Sequence, residues 1–65
     1  MSKSVTRRLV MQLLLEQGFK VKEGESLDEI EVRHSDKGAV EQAMQEFGFT
    51  PSAIFVHWWG VIVIV

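Results

Sequence analysis

The chain opens with Val5, Leu9, Val10, Met11, Leu13, Leu14 and Leu15 in a stretch with no acidic residue before Glu16 and no glycine before Gly18. Their spacing predicts a helix over 5–17, with Ser4 as its cap and Gly18 in the C′ position that favours glycine. At about 100° per residue, Val5, Leu9 and Leu13 form one stripe. Val10 and Leu14 lie on the far side, with Met11 and Leu15 between. A surface helix normally carries a single apolar stripe. This one is apolar most of the way round, so two of its surfaces want covering.

Phe19-Lys20-Val21-Lys22 alternates apolar and charged residues, and Glu29-Ile30-Glu31-Val32-Arg33-His34 alternates again. That is the period of half-buried strands. With Glu23-Gly24-Glu25-Ser26 as a turn between them, they predict a hairpin that points Phe19, Val21, Ile30 and Val32 inward. Lys20, Lys22, Glu29, Glu31 and Arg33 then share the outer face. Ser35 or Asp36 caps a second helix over 37–47, closed by Gly48. Its Val40, Ala43, Met44 and Phe47 make one clean apolar stripe. Pro51 keeps Thr50 extended and opens the last strand.

That last segment, Ala53-Ile-Phe-Val-His-Trp-Trp-Gly-Val-Ile-Val-Ile-Val65, is apolar on both faces if it runs as one strand. Ile54, Val56, Trp58, Ile62 and Ile64 fall on one side. Phe55, His57, Trp59, Val61, Val63 and Val65 fall on the other, with Gly60 a bulge or bend that makes the parity beyond it uncertain. Fully extended it would reach roughly 43 Å, against about 17–20 Å for an ordinary strand. The excess, Val61 to Val65, then has no partner within the chain, and an apolar edge of that kind must be covered. Burying those side chains is worth on the order of 7–15 kcal/mol before entropy is counted. The expectation is strand pairing or face packing between two copies through Phe55, His57, Trp59, Val61, Val63 and Val65. The competing expectation is that a bend at Gly60 folds the tail back into its own core.

The element order α-β-β-α-β is that of a ferredoxin-like split βαβ pattern lacking its first strand. The fold class predicted is α+β: a three-stranded sheet with both helices packed on one face. The two strands flanking the second helix pair directly and in parallel through a right-handed crossover, unless the gap between them is filled from elsewhere. Gln12–Phe19 and Gln42–Phe49 also echo one another, sharing Gln, Glu, Gly and Phe at matching positions. The echo marks two helices with one kind of exit, a glycine followed by an aromatic that folds back on the last turn.

At 65 residues the chain is a single domain spanning 1–65. A chain of this length hides roughly 60% of the surface its unfolded form exposes. It has no cysteine, which excludes disulfides and thiolate metal sites and fits a cytoplasmic, reducing setting. Oligomerisation is then the natural reinforcement of a thin core. Seven basic and nine acidic side chains give a net charge of −2, too even for binding nucleic acid or a membrane surface by bulk attraction. Residues 53–65 fall short of the roughly 20 that a helical membrane span needs.

Little in the chain suggests catalysis. His34, Ser35 and Asp36 have the residue types of a nucleophilic triad, but consecutive side chains diverge where a triad needs convergence. His34 and His57 carry no metal-ligand spacing, and no glycine-rich phosphate loop is present. The expectation is therefore a non-enzymatic protein–protein interaction or regulatory module without cofactor or metal, self-associating as a homodimer through its carboxy-terminal apolar strand. The alternative is a single-stranded nucleic-acid-binding module, with Phe55 and Trp59 stacking bases and Lys20, Lys22 and Arg33 touching phosphates.

Overall fold

The computed structural model describes residues 2–65. The elements are α1 (Lys3–Glu16), β1 (Val21–Glu23), β2 (Glu29–Val32), α2 (Lys37–Glu46), β3 (Ala53–His57) and β4 (Gly60–Ile64). Ser2, not Ser4, caps α1, its hydroxyl accepting from the Val5 amide at 3.3 Å. Asp36 caps α2 by accepting from the amides of Gly38 and Ala39.

Both helices end in the same six-residue device. The Gly18 amide donates to the Leu15 carbonyl and Phe19 to Leu14; the Gly48 amide donates to Gln45 and Phe49 to Met44. Gly18 and Gly48 take φ of 94° and 78°, the left-handed turn that such an ending needs. Phe19 and Phe49 then fold onto the core. The repeated Gln/Glu/Gly-Phe segment is this shared exit.

The three-stranded sheet expected from the sequence is overturned. The sheet has four strands, all antiparallel, in the order β1-β2-β4-β3. Residues 53–65 do not run as one strand: the chain reverses over Trp58 and Trp59, and Gly60 pairs back with His57. The returning strand β4 enters the gap between β2 and β3 and pairs with both. β2 and β3 therefore run parallel without touching, as in a split βαβ unit, and the strand missing from that pattern comes from the end of the chain. Tail residues predicted to lack a partner instead occupy the middle of the sheet, where each backbone edge is paired.

Reversal also resets which side chains share a face. Val61 stands opposite Val32 and Val56, and Val63 opposite Ile30 and Ile54. All of these point to the helix side, because directly opposed residues share a face. The core is built there from Val10 and Leu14 of α1, Val40, Ala43 and Met44 of α2, and Ile30, Val32, Val61, Val63 and Val65 of the sheet region. The expected two-sided demand of α1 is met on one side only: Val10 and Leu14 are buried, whereas Val5, Leu9 and Leu15 remain exposed. Arg7, 7% exposed, ties α1 to the β1–β2 loop by donating to the Ser26 carbonyl at 2.8 Å and pairing with Glu23.

Gly60 makes the reversal possible in two ways. Trp58 and Trp59 have negative φ while Gly60 takes 151°, so the glycine alone absorbs the unusual backbone turn. A Cβ at this position would overlap the Val32 carbonyl oxygen and crowd the Arg33 Cα and His34 N at 3.1 Å. Gly60→Ala should therefore destabilise the protein by more than about 2 kcal/mol, read as a lower midpoint in urea unfolding. Unchanged stability would contradict this packing of β4 on β2.

Candidate interaction surface

With both helices on one side, the other side of the sheet is open and is crossed by three rows of side chains. The central row runs Lys22, Glu31, Ile62, Phe55 from β1 to β3, and a second runs Glu29, Ile64, Ala53. The open face is thus divided. Charge lies on β1 and β2, where Glu31 takes Lys22 at 4.0 Å and Arg33 at 3.7 Å. The β4 and β3 half is apolar, with Phe55 54% exposed.

The third row lies at the hairpin end, where Gly60 pairs with His57 on one side. Trp59 folds over this end of the sheet. Its ring stacks on His57 with centroids 5.1 Å apart and planes 7° from parallel, and the Arg33 guanidinium sits 4.5 Å from its centroid. Such a cation–π contact is worth roughly 0.5–1 kcal/mol at an exposed site. Trp58, by contrast, projects from the turn at 95% exposure.

The six residues expected to form one contact surface are therefore divided. Val61, Val63 and Val65 are buried in the chain's own core. Phe55 and His57 lie on the open face, and Trp59 caps its end. Of the groups considered for bases and phosphates, Trp59 contacts His57 and Arg33, and both Lys22 and Arg33 pair with Glu31, whereas Phe55 stays exposed.

The more informative feature is an edge that pattern reading did not isolate. The sheet ends in β1 on one side and β3 on the other. β1 is Val-Lys-Glu, three residues long, short and charged in the manner that protects an edge from pairing. β3 is Ala-Ile-Phe-Val-His, five residues without a carboxylate, lysine or arginine. Its outer row of N–H and C=O groups has no strand beside it among the described residues. Val56, on the helix side, is 64% exposed because the helices do not reach over it.

Beside β3 a groove of about 240 Å³ opens between this strand and α2. Lys37, Glu41 and Gln45 of α2 form one wall, and Phe49, Pro51 and Ile54 are on the other. Lys37 and Glu41 pair with each other at 3.5 Å, which leaves that wall locally neutral. The only sequence signal for this groove was Pro51, which holds the chain extended away from the end of α2.

His34 is committed to the α2 entry: its Nδ1 accepts from the Asp36 amide at 3.1 Å and its ring meets Phe19 edge-on at 5.2 Å. With Asp36 capping the helix, the His34-Ser35-Asp36 run is a turn rather than a converging triad. Among the described residues no group of three or more metal-ligating side chains gathers, and no helix is long and apolar enough to cross a membrane.

Compared with known proteins, the chain matches no family model, no curated protein and no solved structure. Any functional reading rests on the surface itself.

The two tryptophans give that surface a direct probe. At low micromolar concentration, iodide should quench the emission of Trp59→Phe, which keeps Trp58, markedly more than that of Trp58→Phe, which keeps Trp59. Equal quenching in the two variants would contradict the folded-over position of Trp59.

Proposed function

We propose that this protein is a small, non-enzymatic interaction module whose working element is the β3 edge, and that it associates with a second copy of itself. The observation that carries the reading is the contrast between the two edges. β1 is short and charged; β3 is longer, has no carboxylate, lysine or arginine, and carries the exposed Phe55 and Val56. An extended segment laid along such an edge gains main-chain hydrogen bonds along its length, with alternate side chains directed to the two faces. The contact would be a single strand pair, at the small end of protein interfaces, so association in the micromolar range is expected.

Self-association remains a property of the carboxy-terminal apolar segment, but through its outer strand. A cytoplasmic setting belongs to the same reading, since a chain without cysteine needs no oxidising compartment. The nucleic-acid alternative is less well supported: the net charge is −2, and Trp59, Lys22 and Arg33 already engage other side chains of the protein.

Light scattering after size exclusion should show the mass rising from 7.4 kDa toward twice that value as loading concentration increases. Val56→Lys should weaken association at least about tenfold, because each interface would then enclose unpaired ammonium groups, while circular dichroism stays unchanged. Association unaffected by this substitution would contradict the role of β3.

A further inference from the structure

The β3 edge carries a projection and a recess two residues apart, and this spacing selects one way for two copies to meet. Val56 projects on the helix side with 64% of its surface exposed. Ile54, on the same side, lines the groove under α2. We propose that two copies pair β3 against β3, antiparallel, about a two-fold axis at Phe55, with Val56 of each copy entering the α2–β3 groove of the other. This rests on the reading of β3 as the interacting edge and adds to it the register and the residue that fills the groove.

Symmetry narrows the choices. A two-fold axis falling between two residues of β3 would oppose residues of unlike parity and set the helix side of one copy against the open side of the other. The axis must therefore pass through a residue. At Ile54, Val56 would come opposite Ser52, a polar residue whose hydroxyl donates to the Val65 carbonyl at 3.1 Å, and Ile54 would meet only its own symmetry mate. At Val56, the two projections would meet each other and both grooves would stay empty. Only at Phe55 does Ile54 come opposite Val56 of the second copy, so that projection meets recess twice, as an isologous contact requires.

Chemistry along the edge agrees with this register. On the open face Phe55 meets its own symmetry mate, an aromatic cross-strand pair. Ala53 comes opposite His57, so the imidazole faces a methyl group. Beyond the strand, Trp58 is brought alongside Ser52 of the second copy. The combined sheet has eight strands, with the charged β1 and β2 of each copy at its outer ends and the apolar β3 and β4 strands at its centre.

Because the chain has no cysteine, single thiols report the register directly. Directly opposed Cβ atoms stand about 4.5–5.5 Å apart, close enough for a disulfide after a small adjustment. Under mild oxidation Phe55→Cys should form a covalent dimer at least tenfold faster than Ile54→Cys or Val56→Cys alone. An equimolar mixture of the latter two should cross-link as the Ile54→Cys/Val56→Cys heterodimer. A wild-type protein that is dimeric by light scattering, yet whose Ile54→Cys or Val56→Cys variant couples to itself as fast as Phe55→Cys, would overturn this register and leave the β3 edge as the contact. A wild-type protein that is monomeric up to about 200 μM would overturn both.

Discussion

The contact on which this sheet depends is the close approach of the Gly60 backbone to the Val32 carbonyl. It is made where the chain reverses, and it admits β4 between β2 and β3. Remove it and the two strands flanking α2 lose the element that joins them. The core then loses Val61 and Val63, which complete the apolar floor under both helices together with Ile30 and Val32. The reversal also decides what the surface offers. By putting β4 inside, it leaves β3 outside.

From that placement the asymmetry of the molecule follows. A four-stranded sheet must have two edges, and an unprotected edge invites pairing. Here one edge is closed by brevity and charge, and on that side Arg7 also fastens the β1–β2 loop to α1. The other is open, free of carboxylate, lysine and arginine, and bordered by a groove. The division of the open face into a charged half and an apolar half runs along the same line, so β3 presents apolar side chains on both faces of the strand.

Most local structure was legible in the sequence because local chemistry determines it. Both helices, the buried stripe of α2, the glycine-aromatic exits and the outward charges of the β1–β2 hairpin follow from spacing and capping alone. The α1 cap shifted from Ser4 to Ser2, since a run rich in Ser and Thr offers more than one hydroxyl to the first turn. The break in the last strand was not legible. Trp58 and Trp59 carry no turn signature, and the two-residue reversals easiest to recognise place Asn or Gly at the central positions. With Gly60 read as a bend of uncertain extent, side-chain parity beyond it could not be assigned. A continuous strand would group Val61, Val63 and Val65 with Phe55, whereas they belong with Ile54 and Val56. The α2–β3 groove was hidden for the same reason, because it exists only once β3 is known to be an edge.

Amide hydrogen exchange measured at several protein concentrations tests the placement of these two strands most directly. The amides of β4 should exchange slowly at every concentration, and the outward amides of β3 should exchange fast when dilute and slow as concentration rises, while the outer amides of β1 stay fast throughout. Exchange in β3 that ignores concentration, or exchange in β4 as fast as at an edge, would contradict the account.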